Sequence, residues 1–143
     1  MTTIRGATTL TLGAGTDANI TGANANITAT TNANITASGL VNISGGFVYS
    51  VQNISGPGAI NLTDTVTMMT TTGANAYTLA DGTVEGQLKI IIMKVDGGNG
   101  TVTPDNYING TSILFNNVND TIVLMWQSTG WVQLARQNAT VQG

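Results

Sequence analysis

Seven carboxylates are the side chains of this sequence with the clearest potential for acid–base chemistry. They are Asp17, Asp64, Asp81, Glu85, Asp96, Asp105 and Asp120. The sequence contains no histidine and no cysteine, which excludes the Ser-His-Asp and Cys-His arrangements of nucleophilic enzymes. A pair of carboxylates could still hydrolyse a glycosidic bond, but most of these acids lie in predicted turns, where aspartate bonds its own backbone. The sequence therefore predicts a protein with no catalytic residues and no cofactor, and it disfavours a small polysaccharide depolymerase.

One loop carries a pattern that is typical of oxygen-ligated metals. The run Asp96-Gly97-Gly98-Asn99-Gly100 resembles half of such a loop and begins like a calcium β-roll repeat. It occurs once, and it lacks the aspartate that a β-roll repeat needs two residues after its last glycine. An EF-hand would also need a glutamate at its twelfth position. We therefore interpret the run as a hairpin loop and predict no metal site.

Two tryptophans flank a predicted hairpin near the end of the chain. Exposed aromatic rings beside a loop could bind a sugar, so Trp126 and Trp131 make a carbohydrate-binding module one alternative. Trp126, however, shares a strand face with Ile122 and Leu124. This alternation favours packing in the core.

The charge pattern excludes several classes of partner. Only 8% of the residues are charged, the net charge is −3, and four scattered cations make up the whole positive charge. Such a chain has no basic footprint for nucleic acid, and no run approaches the roughly 18 apolar residues of a membrane span. With 41% hydrophobic residues, the chain is predicted to fold instead of remaining disordered.

A short phrase recurs five times in the first half of the chain. Its copies are Ala18–Gly22, Ala25–Ala29, Ala33–Ala37, Val41–Gly45 and Gln52–Gly56, each with Asn-Ile-Thr or Asn-Ile-Ser at its centre. Such a period indicates one small unit stacked on itself, and each copy offers a single large apolar residue. Because one chain would have almost no core, we predict that several chains share one. The predicted oligomer core is Ile20, Ile27, Ile35, Ile43 and Ile54.

The composition divides the chain into three parts. Residues 1–16 are predicted to be an N-terminal arm, residues 17–58 a β-repeat region that intertwines between subunits, and residues 59–143 an all-β domain. The boundary lies at Gly56-Pro57-Gly58, a strong turn signal. Eight short strands separated by turn residues predict a β-sandwich or a barrel-like domain. They span 59–62, 65–70, 76–79, 87–95, 101–103, 112–115, 121–127 and 131–136, and the last two are predicted to form a hairpin closed by residues 128–130.

Two of these strands are apolar on both faces. Leu88, Ile90 and Ile92 alternate with Ile91, Met93 and Val95. The strand 121–127 shows the same pattern. Since one face of each sheet in a small domain normally contacts water, these strands are predicted to be covered by a neighbouring subunit or by the arm of another chain.

Two long phrases resemble a known group of proteins. Residues 77–93 (YTLADGTVEGQLKIIIM) and 112–126 (SILFNNVNDTIVLMW), followed by Gly130-Trp131-Val132-Gln133-Leu134, resemble the C-terminal domains of bacteriophage virion proteins. The resemblance is to capsid decoration or head-fibre proteins in particular, and to some tail-fibre segments. It covers residues 64–136, about half of the chain. It implies a non-enzymatic homotrimer of β-structure on the virion exterior.

The sequence and the resemblance together predict a trimeric capsid decoration or head-fibre protein. Its expected partners are its own copies and the major capsid protein, and a host-surface glycan is a further candidate. The strand-like arm is predicted to attach to the capsid through Ile4, Leu10 and Leu12, by adding a strand to an exposed sheet edge. A tail-fibre or receptor-binding tip remains the alternative within the class, and a carbohydrate-binding surface module remains the alternative outside it.

Overall fold

Alternating apolar residues form ten β-strands in the computed structural model, which describes residues 35–143. No helix occurs in those residues. The strands are β1 (Val51–Ser55), β2 (Gly58–Ile60), β3 (Val66–Thr70), β4 (Asn75–Leu79), β5 (Leu88–Val95), β6 (Gly100–Pro104), β7 (Ser112–Phe115), β8 (Thr121–Gln127), β9 (Gly130–Gln137) and β10 (Thr140–Gln142).

The chain divides into two units between Ser44 and Gly45. All ten strands lie in the second unit, Gly45–Gly143. Of the first unit, residues 35–44 are described, and they are exposed and form no strand. The second unit therefore begins upstream of residue 59, where the sequence placed the start of the all-β domain.

The strands form two mixed sheets of five strands each. The first sheet has the order β1-β3-β5-β8-β9, and the second has the order β10-β7-β6-β4-β2. Both are open at their edges, so the described residues form no closed barrel. The all-β prediction is confirmed, and the barrel-like alternative is wrong for this part of the chain.

The first six strands alternate between the two sheets. β1, β3 and β5 pair in parallel in the first sheet, and β2, β4 and β6 pair in parallel in the second. Two consecutive strands, one in each sheet, thus make one turn of a coil. The three turns β1–β2, β3–β4 and β5–β6 stack on one another. The remaining strands β7 to β10 join the sheets by antiparallel pairing.

All eight strands predicted downstream of residue 58 overlap strands of the structure. The β8–β9 hairpin is confirmed, with Gln127 paired to Gly130 across the turn. The strand β10 was not predicted. β1 coincides with the fifth copy of the Asn-Ile-Thr/Ser phrase, and its pairing with β3 makes it an integral part of the first sheet.

Side chains from both sheets form one hydrophobic core. Its buried members are Ile60, Met69, Tyr77, Leu79, Ile91, Met93, Val102, Ile113, Phe115, Ile122, Leu124, Trp126, Trp131 and Ala139. Full burial of one large aliphatic or aromatic side chain contributes about 1.5–3 kcal/mol, so this core is the main source of stability for the second unit. Of the two apolar faces of β5, Ile91 and Met93 point into it, and the face of Ile90 and Ile92 points away.

Candidate functional site

The described carboxylates lie outside the strands and serve mainly as hydrogen-bond acceptors in loops. Asp120 is fully buried, and its Oδ2 accepts the backbone N–H groups of Asn116 and Asn117 at 2.8 and 2.9 Å. Asp81 Oδ2 accepts the side-chain amide of Asn106 at 2.7 Å. Within residues 35–143 no three acidic side chains come together. Asp17 lies outside the described residues.

The Asp96–Gly100 run is a corner between the two sheets, because it joins β5 of the first sheet to β6 of the second. The interpretation as a hairpin loop is therefore wrong. Asp96 Oδ1 accepts the N–H of Gly98 at 2.9 Å, a local turn bond. A Cβ at Gly97 would lie 2.4 Å from the carbonyl oxygen of Thr71, and one at Gly98 would lie 2.6 Å from a backbone atom of Gly73. Close packing of two corners thus explains the paired glycines.

The two tryptophans belong to the core. Trp131 is fully buried and Trp126 is 8% exposed, and their rings meet edge to face at a centroid distance of 5.5 Å. Trp131 Nε1 donates to the carbonyl oxygen of Ala80 at 2.9 Å, and Gly82 packs so closely on Trp126 that a Cβ there would clash. The core interpretation is confirmed, so neither ring forms an exposed platform for sugar in the isolated chain.

Lys89 is a buried cation on the inner face of β5. It is 1% exposed, and its Nζ donates to the carbonyl oxygens of Asn61 and Asp64 at 2.8 and 2.6 Å. Burial lowers the pKa of Lys89 to about 8, an effect that the Asp64 carboxylate partly opposes. These two hydrogen bonds hold the loop 61–64, which connects β2 to β3, against β5. The place of Lys89 on the same strand face as Ile91 and Met93 is the signal in the sequence that separates it from Lys94, the other lysine.

The predicted oligomer-core residues occupy different environments. Ile35 and Ile43 are 72% and 43% exposed, whereas Ile54 on β1 is half-buried and packs against the core of the second unit. Ile20 and Ile27 lie outside the described residues. So do the predicted attachment residues Ile4, Leu10 and Leu12.

The fifth phrase, Gln52–Gly56, provides the geometry of one repeat copy in strand form. Ile54 and Gln52 are half-buried, while Asn53 and Ser55 are exposed. Gln52 Oε1 accepts the N–H of Asn61 and the hydroxyl of Thr67, both at 3.0 Å. Gly56 follows with φ 72°, a left-handed conformation that glycine adopts without a steric penalty. The phrase is therefore a strand with one large apolar residue directed inward and a glycine at its end.

The described residues before and at the start of β1 carry many exposed apolar side chains. The large ones are Ile35, Leu40, Val41, Ile43, Phe47, Val48, Tyr49 and Val51, with exposures between 40% and 98%. Within the second unit, the rings of Phe47 and Tyr49 stack at 6.4 Å. Scattered apolar residues are normal on a surface, but such a density is typical of a surface that another chain covers.

The outward side of the first sheet is also apolar, and we call it the outer face of the first sheet. One row crosses four strands through Val66, Ile90, Val123 and Ala135. Neighbouring rows join Met68 to Ile92, and Leu88 to Met125 and Val132. On β3, β5 and β8 the inner positions next to them are buried, whereas these outer side chains are half-buried or exposed. The contribution of β3 was not predicted, although Val66-Thr67-Met68-Met69 carries the signal.

The outward side of the second sheet has a different composition. Its rows join Ala59 to Thr78 and Thr103, and Ala76 to Thr101, Leu114 and Thr140. These are mostly threonine and alanine, and most are exposed. An open depression on this side, at Asn75, Asn99 and Leu114, is lined by no titratable group.

No protein family matches the sequence, and the comparison with curated proteins found no match either. Within residues 35–143 the structure has no helix that could cross a membrane. Among the described residues, the exposed apolar side chains before β1 and the outer face of the first sheet are the features that core packing and turn hydrogen bonds leave unexplained.

Proposed function

We propose that this chain is a non-enzymatic structural protein of a virion exterior. In this proposal it assembles as a homotrimer and decorates or projects from the capsid. The two sheets of the second unit form a sandwich, and the repeats upstream form β-structure that the copies share.

The observation that carries the proposal is the exposed apolar stretch between Ile35 and Val51. Eight large apolar side chains lie along it at 40–98% exposure, four in each unit, and a soluble monomer rarely leaves so many of them in contact with water. Identical chains offer identical apolar surfaces, and most soluble oligomers are closed assemblies of one chain. Association of copies is thus the simplest way to remove this stretch from water.

The sequence resemblance supports the virion location. The resembling phrases 77–93 and 112–126 cover β4 with β5 and β7 with β8, so they contribute strands to both sheets. The resemblance therefore concerns the framework of the second unit and is not confined to a surface loop.

The positions of the polar groups support a structural role. Asp64, Asp81, Asp96 and Asp120 accept hydrogen bonds within loops, and Lys89 holds two backbone carbonyls. These groups stabilise the turns between strands. A protein with a structural role needs such rigid turns.

The fifth phrase serves as the template for the proposed repeat region. In Gln52–Gly56 the isoleucine points inward and the flanking Asn and Ser point outward. The other four phrases carry the same Asn and Ile, followed by Thr or Ser, at the three central positions. Strands of this kind place Ile20, Ile27, Ile35 and Ile43 towards a common core of the assembly.

The location is tested on particles purified from the source of the gene. The proposal predicts that mass spectrometry detects the chain in them and that antibody labelling in electron microscopy places it on the head. Labelling at the tail tip would replace decoration by the tail-fibre alternative. Absence from intact particles, with the protein found on cell surfaces, would contradict the virion role.

Attachment is tested with particles that lack the protein. We expect the full chain to bind them and a variant lacking residues 2–12, which removes Ile4, Leu10 and Leu12, to bind less while it remains folded by circular dichroism. Equal binding by both proteins would show that the arm is not the anchor. A glycan array with the full chain tests the host-surface glycan as a second partner.

A further inference from the structure

The two sheets of the second unit have outward faces of different chemistry. On the second sheet the face is mostly threonine and alanine, as a surface in contact with water requires. On the first sheet the same positions carry Val66, Met68, Ile90, Ile92 and Val123. Both sheets belong to the same unit of the same chain, so a general excess of apolar residues does not explain the difference.

We propose that the outer face of the first sheet is the surface through which copies of this chain meet. This inference rests on the proposed homotrimer. It names the interface within the second unit, about which the repeat isoleucines say nothing. A second copy is the occupant that fits best, for reasons of charge, size and continuity.

The charge distribution favours a permanent contact between like chains. Lys94 is the one charged residue at the outward positions of the described strands β1, β3, β5 and β8. It lies towards one end of β5, where its Nζ contacts Asn53 Oδ1 at 3.5 Å. A charge-depleted centre is typical of subunit interfaces, whereas a steered contact with a charged partner would need charges of one sign.

The size of the face approaches that of a specific interface. With strands about 4.8 Å apart and a rise of about 3.3 Å per residue, five strands of about five residues cover roughly 400 Å². In the trimer the two neighbours of each chain cover its face, which removes roughly 400 Å² from that chain before its ridges are counted, and a specific interface removes about 500 Å² from each partner.

The second unit also carries exposed apolar side chains just before β1. Phe47 and Tyr49 lie in the second unit and lead directly into β1, the edge strand of the first sheet. Val51, which is 40% exposed, continues the row of Val66 and Ile90. These side chains therefore add apolar area at the β1 edge to that of the outer face of the first sheet.

The methionines allow a test on the unmodified chain. Met68 and Met125 lie on the outer face and are half-buried, whereas Met69 and Met93 are fully buried in the core. In the assembled protein, brief peroxide treatment followed by peptide mass spectrometry should find Met68 and Met125 oxidised as slowly as Met69 and Met93. Dilution to single chains should speed oxidation at the outer pair only.

A matched pair of variants gives the second test. Ile90→Lys with Val123→Glu places opposite charges on paired positions of β5 and β8, which a sheet in water tolerates. Association should weaken although the repeats are unchanged, so the mass by light scattering should fall towards that of one 14.7 kDa chain. An unchanged mass would overturn the interface. Thr78→Lys with Thr103→Glu, at paired positions on the second sheet, should leave the oligomer intact.

The outcomes separate this inference from the proposed function. Fast oxidation of Met68 and Met125 in an intact trimer would overturn the interface and leave the trimer standing. If the wild type is a monomer and Met68 and Met125 are oxidised rapidly, the homotrimer and the interface are both wrong. Protection in a monomer would mean that residues 1–34 cover the face, and protection only on particles would mean that another protein does. Either result would overturn a second copy as the occupant.

Discussion

Ile54 of β1 lies directly beside Met69 of β3 in the parallel register of the first sheet. This pairing joins the last copy of the repeated phrase to the core of the second unit, since Met69 is fully buried and Ile54 packs against the same cluster. The residue that marks the repeat in the sequence is thus the residue that the fold directs inward, at the copy that lies in a strand of the described residues.

The first prediction compares one substitution at two repeat positions. Ile54→Asn should lower the free energy of unfolding of the second unit by about 1–3 kcal/mol, because it places an amide against an apolar core. Ile35→Asn should leave that unit unchanged, since Ile35 is 72% exposed, and should weaken assembly if the repeats form the shared core. Urea titration and light scattering measure the two effects. If Ile35→Asn assembles as firmly as the wild type, the shared-core proposal is wrong.

The second prediction concerns pH and Lys89. Burial lowers the pKa of Lys89 from 10.5 to about 8 in the folded protein. Between those pH values the unfolded chain binds more protons than the folded one, so the free energy of unfolding should rise with pH. Urea midpoints of the wild type should therefore increase from about pH 7 to about pH 9.5 relative to those of Lys89→Met.

That pH window ends below the range in which tyrosines titrate. Burial raises the pKa values of Tyr77 and Tyr107, so they oppose the trend at higher pH. Lys89→Met should be less stable at every pH because the carbonyls of Asn61 and Asp64 lose their donor. An identical pH dependence in both proteins would contradict the assignment.

The third prediction tests the corner after β5. Gly97→Ala should destabilise the protein by about 1–3 kcal/mol, because the new methyl group meets the carbonyl oxygen of Thr71 and the corners must move apart. Gly46→Ala is the matched control, since nothing lies within 4 Å of its added methyl group. Adding calcium or a chelator should not change the melting temperature of the wild type. A rise with calcium would restore the metal-loop alternative.

The fourth prediction separates core packing from sugar binding at the hairpin. Trp131→Phe should cost about 1–3 kcal/mol of stability, because the carbonyl oxygen of Ala80 loses its donor within the core. The wild-type tryptophan emission should resist quenching by acrylamide and should not change when sugars are added. A variant with unchanged stability and reduced glycan binding would support the carbohydrate-binding module instead.

Several elements could be predicted closely from the residues alone. The strands Ser112–Phe115 and Thr121–Gln127 have the predicted bounds, because each is a short continuous run of apolar, strand-forming residues and turn residues flank both. β10 could not be found, since Thr140–Gln142 has a single large apolar residue and its pairing with β7 comes from a distant part of the chain.

The path of the chain between the sheets could not be read from the turns. Residues 72–75 and 96–100 have the composition of hairpin loops, yet each carries the chain from the first sheet to the second. A turn residue permits a change of direction, but the strand that it meets next depends on packing between distant segments. The close contact of Gly97 with the carbonyl of Thr71 is a tertiary fact of this kind.

The sequence by itself determined that residues 35–143, the described part, are all-β and that β5 and β8 are apolar on both faces. It determined this because the side chains of a strand alternate between two faces, whatever surrounds the strand. Only the tertiary structure decided that Ile91 lies in the core and Ile90 on the outer face, since the two residues are chemically identical. The difference arises because the side chains of both sheets share one core on the side of Ile91, whereas the described residues leave Ile90 half-buried on the other side.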